Sequence, residues 1–461
     1  MTDPTSLSVT ELSQALASGA VTSEAATRAY LERIEAMDGE LRCYVAVCAE
    51  TALAEAVASD QRRASGDALG PLDGVPVAVK DNIDVAGVTC TAGMEVYRHR
   101  VPDRDAFCVE RLREAGAVLL GKLNMHEGAL GATTDNPFYG RCRNPVDPAR
   151  TPGGSSGGSG AAVAARLCAA ALGTDTMGSV RIPAAYCGVA GLKPSYGLVS
   201  TAGVVSLSWT LDHVGPLART VQDLGLLAEV LVWFDPAGAD SRPAPPGWTA
   251  LIGPERRSRP LSGRRLGRPD AVDKVGCEPA VLEAYEHALD VLRVLGAEII
   301  PLSIEGWDPG PTRRAGLLIS EAEGSMAHEA ALADHPEQFS DEFRGMLTYG
   351  RDASGLRLAK AYRRILDAAH AVDSAFGLGG ERLDALVMPT APQAAFPFGA
   401  PIPPNQADLT AIANVTGRPA VSVPMGLDAD GLPLGLQFVG EKAGEQALLR
   451  MAASFEAAVR R

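Results

Sequence analysis

The segment TPGGSSGGSGAAVAARL, from Thr151 to Leu167, decides how the rest of the sequence is interpreted. Its glycines and serines are typical of a flexible linker, yet it continues directly into an apolar stretch rich in alanine. Such glycines cost ordering entropy unless the backbone needs unusual angles or a close approach. No Gly-Lys-Ser/Thr follows, as a phosphate-binding loop would require. We therefore predict a loop that positions serines.

A second motif, GTDTMGSVRIPAA, occupies residues 173–185. In it a strand runs into a tight turn that carries Ser179, and a helix-like segment follows. Turns of this kind point successive backbone N–H groups at one spot, where they stabilise an oxyanion. A serine at the end of the turn is placed to attack a carbonyl whose oxygen those N–H groups receive.

A serine nucleophile needs a base, and three residues are candidates. His126 lies in NMHEG and His213 follows Asp212, but histidines in such positions more often make structural hydrogen bonds. Lys80 ends the apolar strand GVPVAVK, where burial would keep its amine neutral. We favour the lysine, although a strand-end lysine on its own is usually a solvated charge.

Composition limits the protein class and its partners. The chain has 461 residues, 46% of them hydrophobic, and a formal net charge of −14, which disfavours nucleic acid or an anionic membrane as a main partner. The first residues lack a secretory pattern, and no apolar run is long enough for a membrane helix. The eight cysteines form no C-x-x-C pair. We expect a reduced, cytoplasmic protein with no metal site.

The order of apolar runs predicts an α/β fold, in which a mixed β-sheet is covered by helices on both faces. Short buried strands alternate with helix-like stretches from Gly74 onward, and strand signals return near the carboxyl end. We predict a single large domain over residues 1–461. Within it, about 1–65 is expected to be a helical segment, and about 235–375 a variable helical insertion that shapes the substrate pocket.

Six motifs together resemble the amidase signature family of serine hydrolases: GVPVAVKDNI, GKLNM, TPGGSSGGS, GTDTMGS, GLKPSYG and NVTGRPAVSVP. The similarity covers most of the chain, and several ordered motifs are more specific than any one alone. By position, the resemblance implies that Ser179 is the acylated nucleophile, Ser155 the bridging serine and Lys80 the base. It also implies a cis peptide bond between Gly154 and Ser155.

The same resemblance assigns the surroundings of this triad. The oxyanion hole would be the backbone N–H groups of Thr176, Met177, Gly178 and Ser179, with support from Ser156, Asp175 and Arg181. Met177 departs from the family pattern, which commonly has glycine there, and we expect backbone angles acceptable to any residue. We expect the pocket to include Ala129, Trp209 and residues near Ile319.

The sequence thus predicts a C–N hydrolase that works through an acyl-enzyme and needs no metal or organic cofactor. An apolar Met177 favours an uncharged small-molecule amide, and the family also includes hydrolases of aryl amides, esters and carbamates (urethanes). One alternative is the glutamine-hydrolysing subunit of a tRNA-dependent amidotransferase, and another is a non-catalytic binding protein. A homodimer is one candidate for the oligomeric state, because dimers are common among relatives.

Overall fold

The computed structural model, which describes residues 3–253, 257–377 and 382–460, is built around one eleven-stranded sheet. The strands are β1 (Tyr44–Val47), β2 (Pro76–Lys80), β3 (Val118–Leu123), β4 (Asp135–Asn136), β5 (Gly140–Arg141), β6 (Ala170–Thr174), β7 (Ala190–Lys193), β8 (Val214–Ala218), β9 (Arg265–Pro269), β10 (Glu298–Leu302), β11 (Ala385–Pro389), β12 (Ala420–Leu427) and β13 (Pro433–Gly440). Their order in the sheet is β1-β3-β2-β6-β8-β7-β12-β13-β11-β9-β10, and β4 and β5 form a separate hairpin. Parallel and antiparallel pairs both occur, so the prediction of a mixed sheet is confirmed.

Helices surround this sheet. They are α1 (Val9–Ala17), α2 (Ser23–Leu41), α3 (Ala49–Ser65), α4 (Phe107–Glu114), α5 (Gly157–Ala164), α6 (Arg181–Cys187), α7 (Val221–Leu231), α8 (Pro279–Val294), α9 (Pro309–Ala327), α10 (Glu329–Asp334), α11 (Asp341–Arg351), α12 (Gly355–Gly377), α13 (Ala411–Val415) and α14 (Glu445–Val459). Every residue of β2, β6 and β13 is buried, as expected for strands covered on both faces. No helix in the described ranges is both long and apolar enough to cross a membrane.

The two regions that we expected to be helical also contribute strands. The amino-terminal helices are interrupted by β1, which pairs with β3, and the 235–375 region supplies β9 and β10 at one edge of the main sheet. The region is therefore not a purely helical insertion. The boundaries of the proposed subdivisions stay a prediction.

The sheet topology positions the functional loops. Strands β2 and β6 are parallel neighbours, so their carboxyl ends lie at the same edge of the sheet. Lys80 is the last residue of β2, and the turn that carries Ser179 follows directly after β6. Helix α5 starts just after Ser155 and Ser156, and it places these serines beside the same edge.

Candidate active site

Lys80 and Ser155 meet at the carboxyl edge of β2 and β6. The Lys80 Nζ atom lies 2.8 Å from Ser155 Oγ and 2.7 Å from Thr174 Oγ1. The Thr174 hydroxyl also accepts a hydrogen bond of 3.2 Å from Asn82 Nδ2. These contacts orient the lysine amine toward the serine predicted to bridge it to the nucleophile.

The glycine-rich loop brings its backbone close to neighbouring segments. The peptide bond between Gly154 and Ser155 is cis, which confirms the expectation from the family resemblance. A Cβ atom at Gly154 would lie 2.7 Å from the Thr133 backbone nitrogen, and one at Gly157 would collide with the Thr134 hydroxyl. The glycines are therefore required by close approach, and this explains why a linker-like composition is buried here.

The turn after β6 is organised by the carboxylate of Asp175. This carboxylate accepts hydrogen bonds from the backbone N–H groups of Gly178 at 2.7 Å and Val180 at 3.2 Å. The Ser156 N–H donates to the Ser179 carbonyl at 3.2 Å and so ties the two serine loops together. Ser179 is half-buried, and its hydroxyl has no hydrogen-bond partner in the described part of the chain.

One member of the expected oxyanion hole is already engaged. The Gly178 N–H bonds to the Asp175 carboxylate, so it does not point freely into the site. The N–H groups of Thr176, Met177 and Ser179 have no acceptor within the described residues. The turn therefore offers three free donors where four were predicted, because the carboxylate that shapes the turn uses one of them.

Asp175 is itself held by a buried ion pair with Arg181. Two guanidinium nitrogens lie 2.9 Å from its two oxygens, and Asn414 Nδ2 donates to the same carboxylate at 2.9 Å. Burial alone would raise the pKa of Asp175, but the Arg181 charge and these hydrogen bonds hold that pKa well below its usual range. The predicted supporting residues Asp175 and Arg181 thus stiffen the turn, and Ser156 Oγ donates to the Thr174 carbonyl at 3.0 Å.

The Lys80 amine is fully buried, which lowers its pKa to about 7, while the nearby carboxylates of Asp212 and Asp175 oppose that shift. The acidic residues that follow Lys80 in the sequence pair with other cations. Asp81 pairs with Lys122 at 3.2 Å, and Asp84 pairs with Arg100 at 2.6 Å. A large fraction of the amine is therefore neutral near pH 7.

Neither weighed histidine contacts the serine hydroxyls. His126 lies near Ser155 only through its backbone N–H, which donates to the Ser155 carbonyl, and burial lowers the pKa of its ring to about 4. The Nδ1 atom of His213 lies 2.7 Å from the Leu211 carbonyl, and burial lowers the pKa of this ring well below its usual value. Both histidines therefore have structural contacts and not the contacts of a base, as the sequence favoured.

Sequence reasoning missed four residues around the site. Thr174 contacts Lys80, and Asp212 accepts a 2.6 Å hydrogen bond from Thr176 Oγ1. Thr410 Oγ1 donates to the Met177 carbonyl at 2.6 Å, and Asn414 bonds to Asp175. Thr174 lies within the motif GTDTMGS and Asn414 within NVTGRPAVSVP, so these motifs could have identified both residues. No sequence motif identifies Asp212 or Thr410.

Met177 has no positive φ, so its backbone conformation is open to any residue, as we expected. Its side chain is half-buried and reaches α9, because a Cβ atom added at Gly316 would lie 3.1 Å from Met177 Sδ and 3.5 Å from Leu211. By contrast, Gly178 has a φ of 134° and leaves no room beside the Thr410 side chain. Glycine is required at position 178 and not at position 177.

The three expected pocket residues have different environments. Ala129 is buried in an apolar cluster with Met125 and Phe343, and Trp209 is 43% exposed. Ile319 is fully buried against Ile365, so its side chain does not line an open cavity. A role for Ile319 in the substrate pocket stays a prediction, and in this structure its side chain packs between α9 and α12.

No group of three or more His, Cys, Asp or Glu residues in the described ranges has the arrangement of a metal site. The groups that lie at this edge of the sheet are a buried amine, two serine hydroxyls and three backbone N–H donors without an acceptor among the described residues.

Comparisons with known proteins agree with this geometry. A family model described as amidase matches residues 25–449. The chain is 38% identical over 454 residues to a glutamyl-tRNA(Gln) amidotransferase subunit of Thermosynechococcus vestitus, with 93% of each chain covered.

Two solved structures share the fold. A structure from work on a vestigial protein complex and the evolutionary origins of an s-triazine catabolic enzyme has a TM-score of 0.89 and 33% identity, with 98% of both chains covered. The peptide amidase of Stenotrophomonas maltophilia has a TM-score of 0.84 and 32% identity, with 98% of this chain and 97% of that chain covered.

Proposed function

The chain belongs to the amidase family, and we propose that it hydrolyses a carboxamide C–N bond through an acyl-enzyme on Ser179. The observation that carries this proposal is the 2.8 Å contact between the buried Lys80 amine and Ser155, beside a turn with free N–H donors. A protein that only binds its ligand would have no need to bury an amine against a serine. The non-catalytic alternative is therefore disfavoured.

In the proposed mechanism, neutral Lys80 Nζ accepts the proton of Ser155, and Ser155 accepts the proton of Ser179. Ser179 Oγ then forms a bond to the carbonyl carbon, and the resulting oxyanion accepts hydrogen bonds from the three free N–H groups of the turn. The relay returns the proton to the nitrogen as the C–N bond breaks. Water then attacks the ester by the same route, and Ser179 regains its proton when the acid leaves.

The relatives support glutamine as the first substrate to consider. The similar curated proteins are named as a subunit of glutamyl-tRNA(Gln) amidotransferase, including one from Salinispora arenicola at 39% identity over the whole of this chain. These names favour the amidotransferase alternative over aryl amides, esters and carbamates. On this proposal the protein would act with partner subunits and a tRNA, contrary to the expectation from net charge that nucleic acid is not a partner.

Met177 favours a second candidate, the hydrolysis of an uncharged amide by the chain alone. Its side chain packs toward Leu211 and Gly316 and gives the oxyanion turn an apolar neighbour. An apolar wall does not solvate the two charged groups of a free amino acid. The similarity to the peptide amidase of Stenotrophomonas maltophilia supports this candidate. The name of that protein describes an amide carried by a peptide and not by a free amino acid.

Ammonia release by the purified chain distinguishes the two candidates. Glutamine, a carboxyl-terminally amidated dipeptide and benzamide would be compared at equal concentration, with Ser179→Ala as the control. Turnover of glutamine alone supports the amidotransferase proposal, and turnover of the amidated dipeptide or benzamide supports the second candidate. Equal rates for Ser179→Ala and the unmodified chain would contradict the whole proposal.

A further inference from the structure

A groove bordered by α9, α11 and α12 lies apart from the catalytic residues and has a volume of about 640 Å³. Arg314, Leu318 and Glu321 line it from α9, and their spacing of four and three residues places them on one face of the helix. Arg357 and Arg364 line it from α12 with a spacing of two turns. Two helical faces therefore converge on one cavity.

Positive charge dominates this groove although the whole chain carries a net charge of −14. Its five basic side chains face a single carboxyl group, that of Glu321; they are Arg313, Arg314, Arg357, Lys360 and Arg364. Arg313 is neutralised by Asp408 at 2.6 Å. In the described ranges, no carboxylate lies within 4 Å of the other four. These four side chains are exposed, so the repulsion between like charges on neighbouring helical turns is weak in water, and a bound anion would remove it.

An aromatic ring holds one of these cations in place. The Arg357 guanidinium lies 4.4 Å from the centre of the Tyr349 ring and also bonds to the Tyr349 hydroxyl. A guanidinium held over a ring loses less freedom when it binds an anion, because its geometry is already fixed. The groove therefore has a prearranged donor on its α11 side.

The carboxyl group of Glu321 is a second feature that points to a ligand. The residue is only 5% exposed and lines the groove, yet it has no hydrogen-bond partner among the residues that the structure describes. Burial raises the pKa of Glu321 to about 7, and the charge of Arg357 opposes this shift. The Glu321 oxygens open onto the groove, so an N–H or O–H group of a ligand bound there can donate to them.

We propose that this groove binds a small ligand that carries two or more phosphate or carboxylate groups together with an N–H or O–H donor. Guanidinium groups match both anions, and the volume lies within the range of small-molecule sites, about 300–1,000 Å³. The groove is separate from the oxyanion turn. Gly316, the α9 residue next to the Met177 side chain, lies on a different face of the helix from the residues that line the groove. The proposal is independent of the catalytic assignment.

Calorimetric titration of the full chain tests the anion part. The probes are ATP, pyrophosphate, citrate and a single-stranded RNA oligonucleotide, and the variants are Arg364→Glu and the neighbouring Arg363→Glu. Arg363 is a matched control, since it is exposed, lies on the same helix and pairs with Asp367 outside the groove. Arg364→Glu should lower the affinity for the small anions by about tenfold or more, as expected for loss of a charge-assisted contact. Arg363→Glu should lower the same affinity by less than about twofold.

Glu321→Leu tests the donor part of the proposal. At about pH 10, where pyrophosphate has lost its last proton, this change should lower the ratio of ATP affinity to pyrophosphate affinity by about threefold, because ATP then keeps N–H and O–H donors and pyrophosphate has none. An unchanged ratio would show that the ligand needs no N–H or O–H donor. The anion site itself would be overturned by no binding of ATP, pyrophosphate or citrate, by binding of RNA alone, or by equal losses in both arginine variants. Ser179→Ala should bind the same probes as the unmodified chain, so failure of the catalytic proposal would be seen separately.

Discussion

Replacing Lys80 by methionine should abolish activity and yet stabilise the folded chain near pH 7. Burial lowers the pKa of this amine from 10.5 to about 7, so folding at pH 7 removes about half a proton that the unfolded lysine retains. At 1.36 kcal/mol per pKa unit, and with the folded amine still half-protonated at pH 7, this shift costs about 4 kcal/mol. The variant loses the contacts with Ser155 and Thr174, at about 1–2 kcal/mol each. We therefore expect a net gain of up to about 2 kcal/mol in the free energy of unfolding.

The sign of this effect reverses with pH. The folded-state pKa lies below the unfolded value, so between about pH 7 and 10.5 the unfolded chain binds more protons and the stability of the unmodified protein rises with pH. The advantage of Lys80→Met should therefore shrink on the alkaline side and be lost between about pH 8 and 9. Urea unfolding of both proteins at pH 7 and pH 9 measures the two differences.

Lys122→Met is the matched control, because Lys122 is equally buried but lies 3.2 Å from the Asp81 carboxylate. Removing it leaves a buried charge unpaired and should cost about 3 kcal/mol or more at both pH values. If Lys80→Met is destabilised at pH 7 to the same extent as Lys122→Met, then the folded protein holds Lys80 in its charged form. That result would refute its role as the base.

Three further predictions concern the same site. A fluorophosphonate probe should label Ser179 and not Ser155, as peptide mapping would show, because only Ser179 stands at the turn with free donors; a Ser155 adduct would reverse the assignment. The single-turnover acylation rate should fall as pH drops below about 7, where Lys80 gains its proton, and His126→Ala should keep this profile; a profile that changes only in the histidine variant would contradict the lysine base. Met177→Gly should change the ratio of specificity constants for a bulky and a small amide by about tenfold, with little change in melting temperature. Equal losses of activity on both substrates, together with a large drop in melting temperature, would indicate that Met177 has a packing role alone.

The fold was predictable where burial and hydrophobic pattern coincide. The run PVAVK was predicted as a strand, and it is fully buried. Ser8 and Glu11 form a capping box at the start of α1, a pattern that is recognisable in the sequence itself. In contrast, the strands β8 and β9 read VGPLA and RLGRP, and their glycine, proline and arginine residues are typical of loops. These segments are strands because their neighbours in the sheet hold them, which no local pattern reveals.

The site was only partly predictable for a similar reason. The motifs around Lys80 and Ser155 identify these residues, and the structure brings the two side chains together. The engagement of Gly178 by Asp175 depends on where one carboxylate points, and a list of residues does not contain that information. The burial of Ile319 likewise depends on how α9 packs against α12. Side-chain direction and helix packing are tertiary properties, so they had to come from the structure.

The ties between the turn after β6 and the carboxyl-terminal part of the chain have a consequence for synthesis. Arg181 bonds to the Thr410 carbonyl and to Gln437, and Asn414 reaches the Asp175 carboxylate. A ribosome that has completed only the first half of the protein has made every predicted catalytic residue, but none of these partners. The nascent chain should therefore stay inert toward cellular amides until its last strands have emerged and docked. A proteolytic cut that releases the residues after 400 should likewise leave the serines chemically intact but catalytically inactive.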